Sequence, residues 1–256
     1  GLDSQYGGAG NDSFLVAASA TYVIIEGGEE PGDHDLLRLI GDTGAGVNIG
    51  FTGAESGSFG FAGGAGGVFS QIEAVEATAG DDTINASGLT EGVAVFGGDG
   101  HDFFTGGSGN DLFQGGAGSD EVFAGAGDDT IDGGADDDFI YGGEGQDSLT
   151  GGSGNDYMQG DIGNDTVIAA DGDDFIRGDV GNDFVYGGAG DDSTYGGMGD
   201  DHVFGGDGAD HMFGGYGNDA VYGGAGKDII SGSGESGLAH GGGGAGMAQP
   251  ALGQGP

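Results

Sequence analysis

The sequence predicts an all-β repeat protein of short strands and glycine turns, on three observations. From Gly97 to Ser231 the chain divides without remainder into fifteen nine-residue units, the first GGDGHDFFT and the last GGAGKDIIS. Asp stands at the sixth place of all fifteen. The eighth place is Phe, Val, Ile, Leu or Met in every unit but one, where Thr194 stands. A fixed short period marks a solenoid, in which each repeat buries its apolar side only by stacking on its neighbours.

Each place in the unit has a physical reading. One apolar residue in nine is too sparse for an amphipathic helix, which needs three or four in two turns. It suits a three-residue strand, places seven to nine, whose middle side chain alone faces inward. The six preceding places, Gly-Gly-X-Gly-X-Asp, are then turn. Gly holds the first place in thirteen units (Ala124 and Ala169 depart), the second in twelve (Asp161, Ala170 and Asp179 depart) and the fourth in fourteen (Asp136 departs). Glycine at these places tolerates positive φ and close backbone approach, so that carbonyl oxygens converge where the Asp carboxylate also arrives. Convergent carbonyls and carboxylates, with no Cys and no regularly placed His, make a hard-cation site. Calcium, with six to eight oxygen ligands, is its natural occupant, and magnesium suits it less because it keeps its water in a tight octahedron.

With those residues in view, the units resemble the GGxGxDxUx nonapeptides of the RTX (repeats-in-toxin, haemolysin-type calcium-binding) family. The resemblance implies a parallel β-roll, a calcium-binding β-solenoid with two nonapeptides per lap. It also implies ions between turns of units two apart, each bridged by the sixth-place Asp. Carried onto this chain, Asp102, Asp120, Asp138, Asp156, Asp174, Asp192, Asp210 and Asp228 line one edge. Asp111, Asp129, Asp147, Asp165, Asp183, Asp201 and Asp219 line the other. Seven gaps on the first edge and six on the second give roughly 13 calcium ions.

Composition agrees with a metal-dependent fold. The formal net charge is −41, from 44 acidic residues against Arg38, Arg177 and Lys227. Such a charge repels nucleic acid and anionic membrane surfaces. With no metal, 70 glycines and the mutual repulsion of the carboxylates oppose folding, so folding is expected to be coupled to calcium binding. Sites of neutral carbonyls and shared carboxylates bind with dissociation constants near ~10⁻⁴ to 10⁻³ M, which fill outside the cell and stay empty inside it. An extracellular or cell-surface location reached by a type I-like export route is therefore expected. No apolar run approaches a membrane span, and the start at Gly1 without Met or leader predicts a processed or cut N-terminus.

Taken in order, residues 1–15 hold one nonapeptide, GGAGNDSFL (Gly7 to Leu15), with Asp12 at the sixth place. Residues 16–96 lose the strict period but carry strand-like runs at Thr21 to Ile25, Leu36 to Ile40, Val47 to Phe51 and Gly67 to Ser70. Gly32 to Leu39 keeps a faint echo of the unit. AGDDTIN scans as another, with Asp82 sixth and Ile84 eighth, and VAVF (Val93 to Phe96) precedes the array. This stretch reads as irregular laps, an inserted small sheet, or an insertion packed on the roll's side. Residues 97–231 are the regular roll, and the glycine-rich tail 232–256 is expected to be flexible.

Seventh and ninth places face outward. Tyr186, Phe204 and Tyr222 stand in even units and Tyr195 and Phe213 in odd ones, which predicts one aromatic ladder per face, stabilising its sheet or docking a partner. Among His34, His101, His202, His211 and His240 there is no HExxH helix, and no nucleophile elbow occurs. His202 and His211 fall on opposite faces, and fifth-place acids such as Asp128 face solvent, so no enzyme is expected. Two function classes remain. One is an extracellular structural protein that folds on calcium and assembles end to end, as a homo-oligomer or polymer, into a layer or filament. The other is the RTX folding and export module of a secreted protease, epimerase or pore-forming toxin.

Overall fold

The computed structural model describes residues 3–17, 23–26, 35–40, 46–53, 56–61, 66–70, 72, 74–231, 238–240 and 247–249. Among these every regular element is a strand. The strands form one sheet of fifteen and one of twelve. Through the array they alternate, odd units contributing to the larger sheet and even units to the smaller, and pairing within each sheet is parallel. Phe104 pairs with Val122 and Val122 with Ile140, a register advance of two units per lap. This is the parallel β-roll.

The strands are longer than the hydrophobic pattern predicts. Most array strands have six residues, such as Phe139–Glu144 and Ser148–Ser153, with burial alternating from the seventh place into the third place of the next unit. The first-place residue, glycine in thirteen units, is the second inward position, and in most units only places four to six lie outside the sheets. A pattern of apolar letters cannot show this, because the second inward residue is glycine in all but two units.

Inside, the array places one large side chain per unit, joined by the methyl groups of Ala124 and Ala169 in two units. Phe104, Val122, Ile140, Met158 and Ile176 from one sheet face Phe113, Ile131, Leu149, Val167 and Val185 from the other, all essentially fully buried. Phe104 and Phe113 stack across the interior with ring centroids 5.0 Å apart. Thr194 is also fully buried, and its hydroxyl has no hydrogen-bond partner.

Before the array the same two sheets continue. Leu36–Ile40 pairs with Ser13–Ala17 on one side and Ala74–Glu76 on the other. Val23–Glu26 pairs with Asp3–Tyr6 and Gly66–Ser70. The exception is an antiparallel meander, Val47–Gly53, Ser56–Phe61 and Gly66–Ser70, which lies wholly within the larger sheet. It adds strands there while the smaller sheet passes directly from Leu36–Ile40 to Ala74–Glu76. Ser56–Phe61 (SGSFGF) carries too little β-forming side chain to stand out in sequence. Two short strands of the tail, Leu238–His240 and Met247–Gln249, extend the two sheets. The rest of that tail, for which flexibility was expected, lies outside the described residues, as do Thr21 and Tyr22.

The outer faces carry the aromatic ladders. On the smaller sheet Tyr186, Phe204 and Tyr222 stack at 4.7 and 5.0 Å. On the larger sheet the series is longer and mixes ninth-place with seventh-place rings: Phe103, Phe123, Tyr141, Tyr157, Phe175, Tyr195 and Phe213 follow one another at 4.8 to 5.9 Å. The smaller-sheet rings stack face to face, whereas along the larger sheet stacked pairs (Phe123–Tyr141, Tyr157–Phe175, Tyr195–Phe213) alternate with tilted ones. His202 and His211 lie on opposite sheets, and the His202 ring stacks on Phe184.

Candidate metal centre

The three glycine places of the unit do different jobs. A Cβ added at the first-place Gly97 would overlap the Asp102 Oδ2 of its own unit and stand 2.8 Å from the Gly115 carbonyl oxygen. At Gly178 the corresponding partners are Asp183 Oδ2 and the Gly196 carbonyl. First-place glycine thus leaves the hollow in which a carboxylate oxygen and a carbonyl oxygen of the next lap approach each other. Second and fourth places are instead conformational. The four non-glycine residues with positive φ, Asp136 (76°), Asp161 (72°), Ala170 (92°) and Asp179 (73°), are the four departures from glycine at those two places. The backbone keeps its left-handed turn even where the residue disfavours it, at about 1–2 kcal/mol each.

The sixth-place aspartates form two buried columns. The Asp102 amide donates to Asp120 Oδ1 at 2.7 Å, that of Asp120 to Asp138 at 2.8 Å and that of Asp138 to Asp156 at 2.9 Å. The ladder continues through Asp174, Asp192, Asp210 and Asp228. On the other edge it runs Asp111, Asp129, Asp147, Asp165, Asp183, Asp201 and Asp219. All fifteen side chains are at most 3 % exposed.

One oxygen of each carboxylate is thereby used, and the other is left over. Oδ2 is buried with no hydrogen-bond partner in fourteen of the fifteen sixth-place aspartates, Asp111 being the exception. Second-place φ is positive in the same fourteen units, and Gly107, in the unit of Asp111, is the one outside that region. The Gly107 amide donates to Asp111 Oδ2 at 3.1 Å. The left-handed second place therefore turns an amide away from the carboxylate and leaves its oxygen without a donor. A row of orphaned buried anionic oxygens is untenable without compensation. Burial lifts the Asp102 and Asp138 carboxyls to about 8, with the amides of Asp82 and Asp120 opposing and neighbouring carboxylates adding to the rise. Those of Asp129, Asp165, Asp192 and Asp201 rise to about 7 from the same main cause.

The donor set fits a hard divalent cation. Among the described residues no three His, Cys, Asp or Glu side chains gather at one point. The oxygens available are one orphaned carboxylate oxygen per turn and backbone carbonyls held close by glycine, which suits calcium. The sixth-place aspartates and the first-place carbonyls would hold it. Calcium, when bound, supplies the positive charge that lets these carboxylates stay ionised inside the turns.

The predicted ligands ahead of the array sit in the same columns. Asp12 lies one lap before Asp35, whose Oδ1 accepts the Asp12 amide at 2.8 Å. Asp82 lies one lap before Asp102, whose Oδ1 accepts its amide at 2.8 Å. Asp35, 1 % exposed, is a column member that the sequence showed only as the faint echo in Gly32 to Leu39. Fifth-place residues were missed altogether as a structural row. They are exposed, yet Asn155 donates its amide to Asp137 Oδ1 at 2.7 Å, Asp173 to Asn155 at 2.9 Å and Asp191 to Asp173 at 2.8 Å. The signal was available, since Asn or Asp fills this place in ten of fifteen units.

Fold and site together define a calcium-binding β-roll. A family model, the RTX calcium-binding nonapeptide repeat, matches in overlapping segments from residues 96–131 to residues 195–230, which together span more than half of the chain. The chain belongs to that RTX family. No curated protein matches it.

Proposed function

We propose that this protein is a non-enzymatic structural element of the cell exterior, exported by a type I-like route, whose roll sets when it meets calcium and then self-associates end to end. The observation that carries the calcium part is the row of fourteen buried Oδ2 atoms without a partner. With Asp82 left aside, about 13 ions, one per gap between stacked turns of the regular array, match the spacing. Among the described residues no helix is long and apolar enough to cross a membrane.

Two features support self-association into a filament or layer. Within the regular array every lap joins the next through the same parallel register, so the joint between laps is one that a second copy can repeat. On one edge the third-place residues Ile162, Val180, Met198 and Tyr216 pair in register and are 54, 38, 52 and 75 % exposed. The equivalent places opposite are Ser153, Asp171, Ala189 and Asp207. A stripe of this kind suits lateral contact. Light scattering at rising protein concentration tests the reading: calcium should produce assemblies that chelator dissolves. A calcium-saturated sample that stays monomeric at high concentration would refute assembly.

A further inference from the structure

We infer that Thr78 takes the place of a cation at Asp82, so that the calcium ladder on that edge begins at Asp102 and the turn ahead of it closes without metal. The inference rests on the calcium reading above. In the unit AGDDTIN with its two preceding residues, Thr78 occupies the second place, where the array has glycine or one of three left-handed substitutes. Its amide donates to Asp82 Oδ2 at 2.6 Å, and its hydroxyl lies 2.8 and 3.0 Å from Oδ1 and Oδ2. The Val47 amide donates to Asp82 Oδ1 as well. Both oxygens of Asp82 are therefore engaged by neutral protein donors, in contrast to Asp102 one lap on, whose Oδ2 has none.

The difference is written in residue type. A left-handed second place removes the amide from the carboxylate, and a β-branched residue resists that conformation far more than glycine does. Thr78 therefore holds the turn in its closed form and adds a hydroxyl. Gly107 at the head of the other column closes on Asp111 with an amide alone, and Gly8 does so on Asp12. Those glycines are free to open; Thr78 is not. The column also ends in an apolar residue at this point, since the sixth-place equivalent one strand before Asp82 is the buried Val47.

Native mass spectrometry of the full chain at saturating calcium tests this by counting ions. Asp82→Asn should leave the count unchanged, while Asp156→Asn, in mid-column, should lose at least one ion. Thr78→Gly should gain one ion, because it frees Asp82 Oδ2. Hydrogen exchange in chelator should show the amides of Thr78 and Val47 protected in the wild type and released in Thr78→Gly. An Asp82→Asn protein that loses as many ions as Asp156→Asn, or a Thr78→Gly protein with the wild-type count, overturns the inference. If Asp156→Asn also keeps the full count, the calcium reading itself has failed, a result distinct from either of those.

Discussion

The array and the laps before it share two sheets but fill them differently. In the array the second inward position is a first-place glycine in thirteen of the fifteen units, hollowed out for a carboxylate oxygen, and the small Ala124 and Ala169 in the other two. In the earlier laps the same position carries a side chain: Val16 follows Phe14, Leu39 follows Leu37, Ala77 follows Val75 and Ala86 follows Ile84, all buried. One region thus gains its stability from apolar contact, and the other gives up that contact to make room for oxygen ligands. A solenoid with one buried aliphatic side chain per nine residues does not offset the entropy of its glycines by packing alone. Metal dependence is therefore expected of residues 97–231 and not of the laps around Leu37 and Val75.

Substitutions sharpen that contrast. Leu39→Ala should cost about 2–5 kcal/mol in the leading laps, by the same amount with and without calcium, as read by denaturant unfolding of the two states. Asp156→Asn should cost about 1.5–3 kcal/mol, and only in calcium, because it weakens a ligand that the metal-free chain does not need. Equal losses in both states for Asp156→Asn would erase the distinction between the regions.

Acidity tests the carboxylates from the other side. In the metal-free roll the folded-state values of about 8 for Asp102 and Asp138 and about 7 for Asp129 and Asp165 lie above the ordinary 3.8. The folded form therefore binds more protons than the unfolded one. That contribution is fully present below the ordinary value and is lost as pH rises through 7 and 8. In chelator, β-type circular dichroism should grow as pH falls from 8 toward 4, while in calcium the concentration needed for half-saturation should rise over the same range. A metal-free signal that falls on acidification would contradict the burial of these groups.

Smaller effects probe single places. Thr194→Val removes a buried hydroxyl without a partner and should raise the calcium-loaded melting temperature, by about 1 kcal/mol of stability. Ala170→Gly relieves a left-handed alanine at φ 92° and should stabilise by a similar or smaller amount, about 0.5–1 kcal/mol. Either substitution lowering the melting temperature would mean the inward register or the turn conformation is misplaced there.

Much of this was legible in the letters themselves. Asp at every sixth place and an apolar residue at every eighth but that of Thr194 determine which side chains point inward, and the columns from Asp102 to Asp228 and Asp111 to Asp219 follow. What stayed hidden depends on residues without distinctive side chains. The extra residues of the array strands are led by glycine in all but two units, and the Ser56–Phe61 strand is built of glycine, serine and phenylalanine. Asp35 was obscured because Pro31 to His34 does not keep the glycine spacing, although Leu37 at the eighth place marked its register. Thr78 was passed over because a threonine where glycine belongs reads as decay of the repeat. Its hydrogen bonds to Asp82 show it to be a different way of closing the same turn.

The most direct measurement is residue-resolved hydrogen exchange after exhaustive dialysis against chelator, followed by return of calcium. The sixth-place amides from Asp102 to Asp210 should lose protection without metal and regain it on calcium addition, with those of Val47 and Thr78 protected throughout. Full protection of the array amides in chelator would contradict the claim that orphaned carboxylate oxygens need a cation to stay buried.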